Sequence, residues 1–293
     1  MIHARLLHND QIRDAAEPIL TPGQLGLLAG WGIFSTIRVY DGVLFAYDRH
    51  WARMKHDAEL MRVPFPSDPA ELEASLLKLV EANNAHNSTL RVAIVRNKGG
   101  FWEGPGITRA FDVIGLTADV NDWGRAVRLG VVPNGRQAAS QFAGTKILSW
   151  AQNLTWYEQA HAEGFDEVVL LNEREEVAEC TSANIFAAFG NRVVTPPLSS
   201  GCLPGVTRQI LLHDAAVPGI SVEEGVLTLD DLSAADQVFI TSTTRELLPA
   251  EHIQGITVRN EGQACAAMQK AFSDYIDHYV AEAKQKRGTL ATA

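Results

Sequence analysis

At 293 residues, with 46% hydrophobic and 20% charged content, the chain has the composition of an ordinary globular protein, enough for one large domain or two modest ones. Its net charge of -10 opposes nonspecific binding to nucleic acid, whose phosphates it would repel. Three cysteines without C-x-x-C spacing are too few for a disulfide framework; residues 1–11 lack the apolar core of a secretion signal, and no apolar run reaches the roughly twenty residues that cross a bilayer, so a reducing cytoplasm is the expected setting.

In chain order, residues 33–40 and 43–47 alternate as a hairpin turning at Asp41-Gly42. Trp51, Met54, Ala58 and Met61 recur at helical spacing, which predicts a helix over 48–61 with Arg53 off its apolar stripe. A second helix over 69–83 starts at Pro69, a position a first turn tolerates. Strands follow at 90–95 and 111–117, separated by the glycine-rich 97–106. The polar interval 119–125 reads as a linker between an N-terminal unit, 1–118, and a larger unit, 126–287, with a disordered tail over 288–293. In the larger unit we expect a strand over 126–132, a helix over 150–163 closed by Gly164, buried strands at 167–171 and 237–240, and a long C-terminal helix.

Several tempting motifs fail. Gly30-Trp31-Gly32 begins like a dinucleotide fingerprint, but a strand follows it and Ser35 takes the third glycine's place. His50 and His56 share a helix without the H-E-x-x-H spacing, so solvated or locally hydrogen-bonded histidines, not a metal site, are expected. There is no G-x-S-x-G elbow.

The chemistry concentrates in residues 179–208. This stretch opens with the acid Glu179 and crosses two short strands that turn at Gly190-Asn191. It ends in a glycine-bracketed loop, 201–205, that feeds a helix at Val206-Thr207-Arg208. Such a loop aims backbone N–H groups and the positive end of a helix dipole at one point, which suits a phosphate. An acid and an anion cradle together suit a ligand carrying both a phosphate and a basic nitrogen.

Glu179 to Phe186, Val193-Val194-Thr195 and Leu203 to Arg208 resemble the signature of the class-IV aminotransferases, which are pyridoxal-phosphate enzymes of fold type IV. That family includes branched-chain and D-amino-acid aminotransferases and aminodeoxychorismate lyase. Gly32 to Arg38, His50 to Met54 and Phe239 to Thr244 agree with it in the same order. The resemblance implies a two-domain α/β fold, with a small α+β N-terminal domain and a larger pseudo-barrel domain that binds pyridoxal 5′-phosphate. Lys146 falls at the lysine that forms the Schiff base and shuttles the Cα proton. Glu179 matches the carboxylate that pairs with the pyridine nitrogen, and Arg53 the guanidinium on the phosphate. Val206, Thr207 and Thr243 join them as cofactor-binding residues, while Thr36, Arg38, Thr243 and Thr244 are expected at the substrate.

The subfamily stays open. Ala151 and Ser35 stand where branched-chain enzymes carry a tyrosine and a glutamate. Thr36 falls at a threonine proposed to aid proton transfer in aminodeoxychorismate lyases, and Arg96 to Gly100 resembles their loop. The chain then departs from them at Phe101-Trp102-Glu103, an aromatic pair that suits either a more apolar pocket or packing on the core. The expected activity is therefore transamination between an amino acid or amine and an α-keto acid. The alternatives are 4-amino-4-deoxychorismate lyase activity releasing pyruvate, or a non-catalytic cofactor-binding protein. The family also implies a homodimer, while the net charge and the lack of a long apolar run leave no nucleic-acid or membrane partner expected.

Overall fold

A computed structural model describes residues 1–101 and 104–291, except for the side chains of 288–291. Trp102 and Glu103 of the departing loop lie outside the described residues, as do 292–293 of the tail. The chain divides into two units, one comprising Met1–Asn121, Lys146–Trp150 and the chain from His278, the other Asp122–Thr145 and Ala151–Asp277.

The first unit contains β1 (Ile2–His8), β2 (Gln11–Asp14), α1 (Leu25–Ala29), β3 (Gly32–Tyr40), β4 (Val43–Leu44), α2 (Tyr47–Leu60), α3 (Pro69–Ala82), β5 (Ser88–Arg96) and β6 (Phe111–Ala118). Its strands form an antiparallel sheet in the order β2-β1-β6-β5-β3-β4. The β3–β4 turn has positive φ at both Asp41 and Gly42, which matches the right-handed twist of its two strands. Ile33, Ile37 and Val39 of β3 meet Met54 and Ala58 of α2 and Leu76, Leu79 and Val80 of α3 in one core. Burying each such leucine contributes about 2 kcal/mol. The Asp68 carboxylate caps α3 by accepting the N–H groups of Ala70 and Glu71. No strand was expected over residues 2–8, where I-H-A-R-L-L-H does not alternate. Pairing with β6 makes it β1, and Leu6 and Leu7 are buried there.

The second unit contains β7 (Val127–Val132), α4 (Ala151–Ala162), β8 (Glu167–Leu171), β9 (Val177–Cys180), β10 (Asn184–Phe189), β11 (Arg192–Thr195), α5 (Val206–His213), β12 (Ser221–Glu224), α6 (Leu229–Ala234), β13 (Gln237–Ser242) and β14 (Glu246–Ile253). A final helix, α7 (Ala264–Ala291), begins in this unit, and its residues from His278 belong to the first. The mixed sheet runs β12-β11-β10-β13-β14-β7-β8-β9, with parallel pairs at β11–β12, β14–β7 and β7–β8. β10 and β13 are interior strands of this sheet and are buried along almost their whole length, hence their continuous apolar runs. The rings of Phe186 and Phe239 stack at 5.3 Å between centroids. β9, β12, β14 and α6 are too short or too polar to stand out by periodicity, and α6 is instead announced by a Thr228–Asp231 capping box.

Candidate active site

β4 pairs only with residues 39–40 of β3, which leaves the edge of β3 at Gly32–Phe34 without a strand. The segment from Lys146 takes that edge. Phe34 donates its N–H to the Lys146 carbonyl at 3.0 Å, Ile147 bridges to Ile33, and Leu148 donates to the Gly32 carbonyl at 2.9 Å. The Lys146 N–H itself donates to Oδ2 of Asp57 at 3.2 Å. With its backbone held at both ends, the side chain has a defined origin. Its Nζ lies 4.6 Å from the centre of the Phe34 ring and 6.0 Å from that of Trp150, in cation–π range. Phe34, Thr36 and Arg38 share one face of β3. Thr36 pairs with Arg91 on β5, whose guanidinium reaches diagonally to lie 4.2 Å over the same Phe34 ring. Arg38 donates to the carbonyls of Val39 and Ser88 and lies over Tyr40.

Ser35 points to the opposite face, where α2 packs. Its Oγ accepts from Arg53 Nη2 at 2.8 Å and meets Nδ1 of His50 at 2.8 Å. Ser35 and His50 are fully buried. Burial first, then the charges of Arg53 and Lys146, hold the His50 pKa well below the usual imidazole value, so it is neutral at physiological pH. His50 thus fits the expectation of a locally hydrogen-bonded histidine, and His56 is exposed. Burial lowers the Arg53 pKa to about 10, opposed by the Asp57 charge, which leaves it a cation at neutral pH. Burial raises the Asp57 pKa, opposed by the Lys146 N–H and by the charges of Arg53, His56 and Lys146. Nε of Arg53 and Nε2 of His50 are buried without a hydrogen-bond partner among the described residues. Unmet donors beside a cation are what an anion would satisfy.

In the second unit, Glu179 lies on β9 opposite Leu170 and is only 6% exposed. Its Oε1 accepts from Arg136 Nε at 2.8 Å, and its Oε2 from the Leu203 N–H at 3.0 Å. The loop before α5 is held by Asn184, whose Nδ2 donates to the Leu203 carbonyl at 2.9 Å. Gly205 caps α5 without a side chain, and a Cβ there would collide with Oδ1 of Asn184. The N–H groups of Val206 and Thr207 therefore belong to an open helix N-terminus, where an anion is favoured. Thr243 and Thr244 form the half-buried turn between β13 and β14.

Reading the sequence missed Arg136, Arg91, Asp57 and the Ser35–His50 pair. For Arg91 the period-2 pattern of β5 could have set its face, but not its partner. Nothing in the spacing of residues 136 and 179 marks them as a pair.

The comparisons with known proteins bear on the whole chain. Residues 32–253 match the family described as Amino-transferase class IV. A Methanocaldococcus jannaschii protein, provisionally named a branched-chain-amino-acid aminotransferase, is 31% identical over 258 residues, covering 85% of this chain and 88% of that protein. The branched-chain amino acid aminotransferase structure from Escherichia coli superposes with a TM-score of 0.84 at 24% identity, covering 94% of this chain and 95% of its own. A structure from Legionella pneumophila, provisionally named a 4-amino-4-deoxychorismate lyase, gives a TM-score of 0.81 at 22% identity, covering 89% and 96%. The fold is that of the fold type IV enzymes, with two sheets in a mixed α/β chain. Among the described residues, no helix is long and apolar enough to cross a membrane.

Proposed function

Because this chain belongs to the class IV aminotransferase family, a family of pyridoxal-phosphate-dependent transaminases, we propose that it moves an amino group between an amino acid or amine and an α-keto acid, with Lys146 as the amine that holds the cofactor. The observation that carries this reading is the fixing of Lys146 on the edge of β3, with its ammonium over Phe34.

The residues present fit pyridoxal 5′-phosphate. Arg53 keeps an unmet buried donor for a phosphate, α5 offers the N–H groups of Val206 and Thr207, and Glu179 is a buried carboxylate suited to a protonated ring nitrogen. When bound, this cofactor supplies a carbonyl for the amino group and a ring that withdraws electrons from the substrate's Cα. Lys146 would hold this group through its amine and would serve as the base that moves the proton at the substrate's Cα. By the family resemblance, Glu179 would face the ring nitrogen, and Arg53, Val206, Thr207 and Thr243 would serve the phosphate. Thr36 and the Thr243–Thr244 turn orient the substrate, and Arg91 offers its carboxylate a guanidinium on the Phe34 face. Arg38, engaged with the Val39 and Ser88 carbonyls, serves the substrate by holding the strand in place. We extend the reading to a homodimer in the cytoplasm, a setting in keeping with three free, buried thiols.

A lyase reading draws on Thr36, which shares the face of β3 with Phe34, the ring under the Lys146 amine. One experiment separates the readings: load the protein with pyridoxal 5′-phosphate, add amino acids or amines, and follow conversion of the cofactor to its amine form. Conversion reversed by a keto acid supports the transaminase, and pyruvate release from aminodeoxychorismate without conversion supports the lyase. If neither result is seen, the protein is a non-catalytic binder. Borohydride reduction should label Lys146, and Lys146→Ala should abolish turnover; an unlabelled Lys146 refutes the assignment.

A further inference from the structure

We propose that Arg136 is a positioning residue that pairs with Glu179 and aims its carboxylate, and so sets how firmly that carboxylate holds a protonated ring nitrogen of the cofactor. This rests on the role given to Glu179 above and goes one residue beyond it.

Glu179 is buried, and a buried carboxylate is costly unless a cation and hydrogen-bond donors meet it. Arg136 is that cation, with Nε 2.8 Å from Oε1. Leu203 holds the other oxygen, so the carboxylate is gripped at both ends. Two of its roughly four lone-pair positions are used, and the rest are available to a ring N–H. Arg136 is itself anchored on its far side. Its Nη1 donates to the Gly135 carbonyl at 3.1 Å and to Asn153 Oδ1 at 3.2 Å. Asn153 in turn donates from Nδ2 to the carbonyl of Thr181, just past Glu179, at 2.9 Å. The guanidinium therefore joins the segment after β7, the start of α4 and the end of β9 around one carboxylate. A lysine could supply the charge but not this fork.

Among the described residues, the neighbouring groups named here supply no second cation. Cys180 and Cys202 are neutral thiols, and Arg245 and Arg208 are paired with Glu167 and Glu224. Without Arg136, the buried carboxylate would lose its counter-charge and the contact that fixes Oε1, and its aim at the ring nitrogen would loosen.

The test uses full-length protein loaded with pyridoxal 5′-phosphate carrying ¹⁵N in the ring, which reports ring protonation by its chemical shift. Cofactor dissociation and the melting temperature of the cofactor-free protein are measured beside it. In Arg136→Gln the ring nitrogen should lose its proton near neutral pH, and retention should weaken roughly ten-fold or more, the scale of one charge-assisted hydrogen bond. Arg136→Lys should keep the proton at neutral pH and lose it at lower pH than the parent does. A ring nitrogen that titrates as in the parent overturns the proposal, whatever happens to melting, because a purely structural clamp would move melting alone. If Arg136→Gln does not fold, Arg136→Lys decides by the same criterion. Glu179→Gln separates the two levels. If it leaves ring protonation unchanged, the reading of Glu179 fails; if it changes protonation while the Arg136 variants do not, only the present inference fails.

Discussion

Replacing Glu167 with alanine should unfold the second unit at a markedly lower temperature. Glu167 is fully buried at the start of β8, and its carboxylate accepts the N–H groups of Val168 and Thr181, the Thr181 hydroxyl and the Ser182 hydroxyl. It also faces Arg245 at 3.3 Å, whose side chain is 3% exposed and stacks 3.9 Å over Trp123. The alanine variant leaves a buried guanidinium without its counter-charge, a loss of about 3–5 kcal/mol. That is a large share of the roughly 5–15 kcal/mol that holds a typical protein folded. At about 2–4 °C per kcal/mol for a unit of this size, melting should fall by about 10 °C in differential scanning calorimetry. The double variant Glu167→Met with Arg245→Met should lose less than the single one, because it buries no uncompensated charge. As a control, Lys270→Ala breaks an exposed pair with Asp274, and pairs of that kind contribute less than about 1 kcal/mol. The reasoning is refuted if Glu167→Ala melts within about 2 °C of the parent, or if the double variant is the worse of the two. Thr181 and Ser182 lie two and three residues after Glu179, so cofactor retention should fall along with stability.

Burial pushes the thiols of Cys202 and Cys265 up to about 12, and that of Cys180 well above its usual value. The native protein should therefore resist thiol reagents at pH 8 and react at all three cysteines in guanidinium chloride; ready labelling of the folded protein would contradict this. The same shifts have a sign for stability. The unfolded thiols ionise first, so folding stability should fall between about pH 9 and 12, by up to about 1.4 kcal/mol per pH unit for each thiol. Urea titrations across that range would measure the slope. Gly205→Ala should drive Asn184 off the loop before α5, lowering both melting temperature and cofactor retention; unchanged retention would separate that loop from the phosphate. Arg53→Ala should weaken cofactor binding without large loss of fold, because its Nη2 meets only one hydroxyl among the described residues; equilibrium dialysis would show this.

Lys146 and Arg53 stand out only through the resemblance to the class IV family, whereas local chemistry alone marked Glu179 and the glycine-bracketed loop before Val206-Thr207 as an acid and an anion cradle. The same holds for α2 and α3, whose apolar spacing is the helical period, and for the Asp41-Gly42 turn, where two positive φ angles are needed. What tertiary structure decided is which distant segments meet. Residues 2–8 become a strand only because β6 offers them an edge, and Lys146 is held because β4 stops short and leaves the start of β3 uncovered. Ser35 breaks the apolar run on the buried face of β3, and only its pairing with His50 and Arg53 accounts for it. Arg136 and Glu179 lie on segments far apart in sequence, and their pairing depends on the sheet order. A residue's own neighbours report the face it occupies, but its partner across that face depends on topology and on the free energy of burying the two together.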